Sequence, residues 1–299
     1  MTTENGLFFL DSGSFSLWTA ATKYGKKHGK SPWSYYDTKE FWRYMDEYAA
    51  FVKKYRKYID YYANVDAIPE PELTWRNQQY LEKEHGLAPV PVVHFRTDLK
   101  WLRRYVRRGY EFIAIGGLVG SFGSPACRTW LDRVFDFVCD TPKRLPKVKL
   151  HGFAVTGYEC LLRYPWWSVD SATWTKVGAF GGILLPHKRG GRFTYETEPY
   201  QITMSQDAPT RAKGKHYSTL SPGEQRIVRE WLKQIGVPLG KNDKDGNVIE
   251  HGVINRHSER KIANLLFFEG LRKWLSEYPW PFKPANRRPA VGFFSGNGK

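Results

Sequence analysis

The sequence contains little cysteine and no long apolar run, and each shortage excludes a class of protein. Cys127, Cys139 and Cys160 are widely spaced and form no CxxC motif, so we expect neither a disulfide framework nor a cysteine-rich zinc site. No apolar run approaches the roughly 18 residues needed to cross a bilayer. The N-terminal MTTENGLFFLDSGSF has an acid after its short apolar patch, unlike a signal peptide. We therefore expect a soluble cytoplasmic protein.

Acidic residues are scarce relative to basic ones. The chain has 46 Lys and Arg against 30 Asp and Glu, a formal net charge of +16, and this excess favours a polyanionic partner because binding releases counterions. Any single basic run could be a solvated helix face, but five runs with interleaved Tyr and Trp favour a surface for phosphates and unstacked bases. They are residues 23–30, 53–58, 101–110, 186–192 and 211–216. Nucleic acid is the expected partner, and no lipidation motif or amphipathic terminal helix indicates a membrane.

Apolar runs that end in polar or glycine residues alternate with helical patterns along the first two thirds of the chain. The runs are GLFFLD, YYANVD, PVPVVH, FIAIGG, KVKLHG, WWSVD and GGILLP. This order predicts an α/β fold with a parallel sheet covered by helices. In a closed (β/α)8 TIM-type barrel the strand carboxyl ends share one face, which would gather Asp11, Asp66, His94, Gly116, Gly117, His151 and Asp170. An open doubly wound sheet is the second alternative, although the GxGxxG fingerprint is absent.

Local signals predict further elements. Asp37 with Glu40 resembles a capping box before a helix that runs to Tyr55, and Pro222 with Glu224 indicates another helix start. Residues 192–205 resemble a hairpin insertion, and residues 255–278 a last long helix. We predict one domain over 1–299, with a barrel core at about 7–188 and a C-terminal part, 189–299, that completes the barrel and contacts nucleic acid.

Asp170 stands in an aromatic setting, PWWSVDSATW. A carboxylate among tryptophans loses hydration when the segment folds inward, which is unfavourable unless a partner or a chemical role compensates. Such aspartates more often cap helices or hold an arginine than carry chemistry.

Three segments together resemble a known family. FLDSGSF, AIGGLVG and SVDSATW occur in the order of the DSGGF, GGLAVG and late aspartate motifs of the tRNA-guanine transglycosylase superfamily, whose members are (β/α)8 barrels. In length and in PWWSVDS the chain is similar to the DpdA-type DNA-guanine transglycosylases of phages and genomic islands, over roughly residues 7–188. The resemblance implies exchange of guanine in DNA for a 7-deazaguanine, preQ0-like base, which would protect phage DNA from restriction.

The resemblance also implies roles for the acids. Asp170 looks like the nucleophile that attacks C1′ and forms a covalent aspartyl-deoxyribosyl intermediate. Asp11 looks like the general acid and base for the departing and incoming purines, for which a partly desolvated strand end is suitable. Asp66 resembles the base reader, which accepts the N1 and exocyclic amine hydrogens of guanine.

Other family positions imply further substrate contacts. The backbone at Gly116, Gly117 and Leu118 would approach O6 and the 7-substituent, and Phe15 would stack on the base. Ser12, His94 and His151 complete the expected substrate-binding set.

The sequence departs from the family pattern at three places. His94 stands where the tRNA enzymes usually carry glutamine, and Ser14 replaces the second glycine of DSGGF. No cysteine follows Cys160, so the CxCxxC and histidine zinc site of the relatives is missing and we expect no metal or other cofactor. The implied partners are double-stranded or locally opened DNA and a free 7-deazaguanine base.

Other interpretations remain open. Asp11 before Ser-Gly could form an Asx turn, Asp66 could cap a helix, and the two histidines could be buried structural residues. The alternative functions are the same base exchange on tRNA, a hydrolytic glycosylase, and a non-catalytic nucleic-acid-binding barrel.

Overall fold

The structure is a computed structural model that describes residues 7–121, 123–155, 157–209 and 211–283. It divides into two compact units. The first contains Met1–Val155, Arg163–Asp170 and Tyr278–Lys299, and the second contains Thr156–Leu162 and Ser171–Glu277. Every site residue predicted from the sequence belongs to the first unit.

A parallel sheet forms the centre of the first unit. Its strands are β1 (Phe9–Leu10), β2 (Tyr61–Tyr62), β3 (Val92–His94), β4 (Phe112–Gly116), β5 (Lys149–Gly152) and β6 (Ser168–Val169). β1 pairs with β2, and β3, β4, β5 and β6 form a four-stranded parallel sheet in chain order. A parallel bridge between Ala63 and Val90 links the chain beyond β2 to the chain before β3. The predicted α/β class with a parallel sheet is therefore confirmed.

The register aligns the strand ends. His94 lies opposite Gly116 in neighbouring strands, and Gly152 lies opposite Val169. Because all these strands are parallel, their carboxyl ends share one edge of the sheet.

The sheet is strongly curved. Four strand spacings separate β1 from β5, which in a flat sheet would be about 19 Å. The ring centroids of Phe9 in β1 and His151 in β5 are nevertheless 4.7 Å apart. Phe112 of β4 also contacts Phe9, at 5.9 Å between centroids. Aromatic side chains on one face of the sheet thus meet across its concave side.

Helices connect the strands, and one of them has a different start from the one predicted. The helices of the first unit are α1 (Ser14–His28), α2 (Lys39–Tyr55), α3 (Pro71–Lys83), α4 (Lys100–Arg107) and α5 (Pro125–Val138), whereas α6 (Tyr158–Arg163) belongs mainly to the second unit. Thr38, not Asp37, caps α2, because the Thr38 hydroxyl accepts the Phe41 N–H at 3.2 Å. Asp37 instead pairs with Arg76 at 2.6 Å. Helix α1 has no counterpart among the predicted elements.

The second unit contains further helices and antiparallel strands. They are α7 (Thr173–Ala179), β7 (Gly182–Leu185), β8 (His187–Arg189), β9 (Arg192–Thr194), β10 (Tyr200–Thr203), α8 (Pro222–Gln234), β11 (Lys241–Asn242), β12 (Val248–Glu250) and α9 (His257–Trp274). The capping box of Ser221 and Glu224 at the start of α8 is confirmed, and α9 occupies most of the predicted last helix.

The hairpin predicted over 192–205 is wrong in its pairing. β9 pairs with β8, whereas β10 pairs antiparallel with β7. Gly190 and Gly191 have φ of 54° and 79°, which suits a tight two-residue turn between β8 and β9. The turn glycines therefore place the hairpin earlier in the chain than the alternation of residues suggested.

Phe112→Ala should lower the free energy of unfolding by about 3–5 kcal/mol. Phe112 is 9% exposed and its ring contacts Phe9, Tyr61 and Trp167, so truncation would leave a cavity on the concave face. Urea unfolding followed by circular dichroism measures the change. Phe51→Ala on α2, where the side chain is 47% exposed, is the control and should cost less than about 1 kcal/mol. Equal losses in the two variants would contradict the packing described.

Candidate active site

Three carboxylates follow strands of the curved sheet. Asp11 directly follows β1, Asp170 directly follows β6, and Asp66 lies four residues after β2. We call this edge, defined by Asp11, Asp66 and Asp170, the acidic edge. The structure brings to this edge acids that are distributed from position 11 to position 170 of the sequence.

The charges of the acidic edge act on one another. The pKa of Asp11 is raised above its ordinary value of 3.8, first because the surrounding protein desolvates the carboxyl, and then because the charge of Asp66 repels its ionised form. The charge of Asp170 raises the Asp11 pKa as well, while the backbone N–H groups of Ser12 and Gly13 oppose the shift. Asp11 as a residue remains accessible, so its carboxyl is partly desolvated and can still meet a ligand. Because salt screens charges separated by more than about 10 Å, both effects indicate that Asp66 and Asp170 lie within that range of Asp11.

Asp66 is paired with His94. The Nε2 atom of His94 lies 2.6 Å from Oδ2 of Asp66, and both side chains are buried. Because a carboxylate accepts hydrogen bonds, Nε2 of His94 carries the hydrogen. Gly116 in the neighbouring strand makes room for this imidazole, since a Cβ at position 116 would lie 3.1 Å from Cδ2 of His94. His94 therefore directs Nε2 to Asp66, where the sequence predicted a contact with substrate.

Asp170 is held by the segment that follows β5. Its Oδ1 accepts a short hydrogen bond from the backbone N–H of Ala154. Its Oδ2 lies 3.5 Å from Nε2 of His151, a buried residue. The Asp170 N–H donates to the carbonyl of Gly152 at 3.2 Å. The Asp170 side chain keeps 50% of its surface exposed, so it is oriented by the protein and open to a ligand.

A network of hydroxyl groups joins the turn after β1 to Asp66. The Ser14 hydroxyl accepts the Asp66 N–H at 2.9 Å and bonds to the Ser12 hydroxyl at 2.8 Å. The Tyr44 hydroxyl donates to the Ser12 carbonyl at 2.6 Å. Gly13 has a φ of 71°, a conformation that glycine adopts without strain. The turn is thus tied to the Asp66 backbone, and the predicted substrate contact Ser12 has its hydroxyl bonded inside the protein.

The remaining predicted residues differ in their location and exposure. Gly117, with a φ of 70°, leaves β4 at the same edge, and Leu118 after it is fully buried. Phe15 is 65% exposed, and its ring contacts Trp18, 5.9 Å away, one helical turn further along α1. The structure describes no contact between Phe15 and the acids, so its stacking role stays a prediction.

Three residues that hold the acids in place were not among the predicted site residues. Ala154 and Ser168 orient Asp170 and His151, and Ser14 holds the backbone of Asp66. Ser14 was visible as a departure from the DSGGF motif, and Ser168 as the residue two before Asp170. Ala154 has no sequence signal, because it acts through its backbone N–H at a φ of 56°.

This arrangement has distinct chemical capacities. Asp170 is an accessible carboxylate held in one orientation, which suits a nucleophile. Asp11 has a raised pKa, which suits a group that both gives and takes a proton. One oriented carboxylate and a second carboxyl group with a raised pKa are the two groups that retaining glycosyl transfer requires.

Asp11→Asn should raise the free energy of unfolding at about pH 7 and leave it nearly unchanged at about pH 3. The raised pKa means that the folded chain binds this proton more tightly than the unfolded chain, so the contribution of Asp11 to stability is lost as the pH rises from 3.8 through the raised pKa. At neutral pH the variant removes an unfavourable charge. Urea titrations at the two pH values measure the difference.

The matched control for this experiment is Asp140→Asn, which changes an exposed acid of the same unit. Its effect should stay within about 0.5 kcal/mol at both pH values. A loss of stability in Asp11→Asn at neutral pH would contradict the repulsion described.

Within the described ranges, no helix is both long and apolar enough to cross a membrane. The same residues contain no group of three or more His, Cys, Asp or Glu side chains that could hold a metal ion. No family model, no curated protein and no solved structure matches the chain.

Proposed function

We propose that the protein is a guanine transglycosylase that exchanges guanine in DNA for a free 7-deazaguanine base. The observation that carries the proposal is the acidic edge, where Asp11 has a raised pKa next to Asp66 and an oriented Asp170. The resemblance of the motifs around Asp11, Gly116 and Asp170 to the transglycosylase superfamily supplies the reaction class.

The first half-reaction would begin at C1′ of the target nucleotide. A carboxylate oxygen of Asp170 forms a bond to C1′ while the bond from C1′ to N9 of guanine breaks. The electron pair of that bond leaves with guanine, which receives a proton from Asp11. The product is a deoxyribosyl ester of Asp170, and the DNA backbone stays intact.

The second half-reaction reverses these steps with a different base. Asp11, now ionised, takes the proton from the incoming 7-deazaguanine, whose nitrogen attacks C1′ and expels the Asp170 carboxylate. Both displacements pass through a cationic sugar, which nearby carboxylates stabilise. A raised pKa lets Asp11 hold a proton in one half-reaction and release it in the other.

Recognition of the purine would depend on Asp66 with its partner His94. Asp66 accepts hydrogens from N1 and the exocyclic amine of guanine, a donor pattern that adenine lacks. His94 fixes the orientation of this carboxylate through a 2.6 Å contact. The backbone of Gly117, which has a φ of 70° and no side chain, would approach the 7-substituent.

The complete (β/α)8 barrel belongs to this proposal. Six parallel strands follow one another in chain order, and contacts between β1 and β5 across the concave face support closure. A closed barrel would surround the target base with the strand ends that carry the acids.

A basic helix in the first unit supports a nucleic-acid partner. Helix α4 contains no acidic residue, and Lys100, Arg103, Arg104 and Arg107 recur at helical spacing, so these exposed cations repel one another. The guanidinium of Arg104 lies over Trp101 at 4.3 Å and over Trp75 at 5.3 Å. Phosphates bound along this face would relieve the repulsion, and we propose that it contacts the DNA backbone.

Incubation of the protein with radiolabelled guanine and either duplex DNA or tRNA should place the label in DNA. Asp170→Asn should lower the exchange rate on the order of 10³-fold or more, because no covalent ester can form. Asp136→Asn, an exposed acid bonded to Arg144, is the matched control and should retain the wild-type rate.

The other outcomes separate the alternatives. Label in tRNA alone would assign the same chemistry to tRNA. Abasic sites formed without added base would indicate a hydrolytic glycosylase. Nucleic-acid binding with no exchange on either polymer would leave a binding protein and would refute the proposed activity, as would full exchange by Asp170→Asn.

Replacing Arg103, Arg104 and Arg107 together with glutamine should weaken the salt dependence of DNA binding. The slope of log K against log salt is negative, and each lost phosphate contact makes it shallower by about 0.9, so its magnitude should fall by about 3. Fluorescence anisotropy over a range of salt concentrations measures it. The same three positions changed to lysine keep the charge and should keep the slope, and an unchanged slope in the glutamine variant would exclude α4 from the interface.

A further inference from the structure

His151 is a buried histidine placed between a hydroxyl and the proposed nucleophile. Its Nδ1 lies 2.8 Å from the Ser168 hydroxyl, and its Nε2 lies 3.5 Å from Oδ2 of Asp170. The His151 side chain is 4% exposed, and Nε2 has no hydrogen-bond partner of ordinary geometry within the described residues. A buried, nearly unsatisfied ring nitrogen that faces a carboxylate is costly unless it has a use.

The neighbours of His151 determine which of its ring nitrogens carries the hydrogen. An unprotonated Nε2 would direct its lone pair at the Asp170 oxygen, which is repulsive. With the hydrogen on Nε2 the contact is attractive, and Ser168 can donate its hydroxyl hydrogen to Nδ1. Ser168 and Asp170 are two residues apart on the same strand end, so one segment sets both neighbours of the imidazole.

The two oxygens of Asp170 are therefore in different environments. Oδ1 accepts the Ala154 N–H, and Ala154 adopts a φ of 56°, an uncommon conformation for a residue other than glycine. Such backbone strain is found where a group must be held in place for function. Among the residues that the structure describes, Oδ2 has only the longer contact with His151, at 3.5 Å, so it is the oxygen that is free to change its bonding.

We propose that His151 is a positioning residue that assigns the attack on C1′ to Oδ2 of Asp170 and stabilises that oxygen each time the ester breaks. This rests on the proposed base exchange. In the forward step Oδ2 bonds to C1′ as the C1′–N9 bond breaks, and Oδ1 becomes the ester carbonyl that Ala154 N–H continues to hold. In the second step the C1′–Oδ2 bond breaks, and its electron pair returns to Oδ2, toward which His151 directs its Nε2–H.

Loss of His151 should change the balance between the covalent ester and free Asp170, an effect that a purely structural histidine would not produce. A hydrogen bond to Oδ2 stabilises the free carboxylate more than the ester, because the negative charge on that oxygen disappears when the ester forms. Removal of the donor should shift the balance toward the covalent ester and slow its breakdown.

The test compares three variants by turnover and by the fraction of protein trapped on DNA after denaturation. His151→Phe suits the surrounding rings of Phe9 and Phe153, both 4.7 Å away, and should keep the fold. We expect kcat to fall on the order of tenfold and the ratio of ester to free enzyme to rise by a similar factor, with KM for the base little changed. His151→Gln retains an N–H donor and should recover most of the loss, while Ser168→Ala should give a smaller loss.

Two results would overturn the proposal while leaving base exchange intact. One is a His151→Phe variant with wild-type turnover and no more trapped ester than the wild type. The other is a loss that glutamine fails to rescue and that leaves the trapped fraction unchanged.

Nitrogen NMR of the wild-type histidines separates this inference from the proposed function. The His151 ring should carry its hydrogen on Nε2, and Asp170→Asn should shift that resonance while Ser168→Ala shifts Nδ1. If the wild type exchanges no base, the proposed function fails, and these resonances still test the contact. A hydrogen on Nδ1 alone would refute the positioning role in either case.

Discussion

Repulsion among three like charges at one edge of a curved sheet is the constraint on which the candidate site depends. Parallel strands deliver their carboxyl ends to one edge, and curvature brings distant strands close, so the charges of Asp66 and Asp170 act on Asp11. Two of the acids have a histidine beside them. At Asp11 the backbone N–H groups of Ser12 and Gly13 offset part of the repulsion, and the Asp11 pKa is raised. In the proposed exchange, this edge supplies both the acid that carries a proton and the carboxylate that attacks.

Hydrogen bonds behind the acids limit how far they can move apart in response to that repulsion. Ser14 ties the turn after β1 to the backbone of Asp66, and Tyr44 holds the carbonyl of Ser12. Buried polar groups that satisfy one another in this way are expensive to separate and specify one arrangement. The aromatic face formed by Phe9, Phe112 and their neighbours excludes water on the concave side. Packing and hydrogen bonding together therefore maintain a charge distribution that would relax in a looser structure.

Charge of opposite sign is separated over the first unit. The whole chain has a formal net charge of +16, and α4 displays cations without a single acid, whereas the acidic edge concentrates carboxylates. The cationic surface attracts a polyanion over long distances. The acids favour a cationic sugar at close range. A nucleic acid whose sugar becomes cationic during reaction would meet both requirements, and the proposed glycosyl transfer on DNA rests on this combination.

The sequence by itself determined the α/β class, the strand ends that carry the acids, and the helix start at Ser221 and Glu224, because periodicity and capping are local properties. It did not determine that Thr38 caps α2, that β9 pairs with β8, or that α1 forms after the first strand. It also did not reveal that His94 turns to Asp66, that Ser14 bonds a residue 52 positions away, or that the Ala154 backbone reaches Asp170. These features depend on atoms that meet only after the sheet curves, and on the direction in which each side chain then points. The order of residues therefore predicts which groups lie at the acidic edge, because strand ends are local features of the sequence. Only the tertiary structure decides which of these groups form contacts.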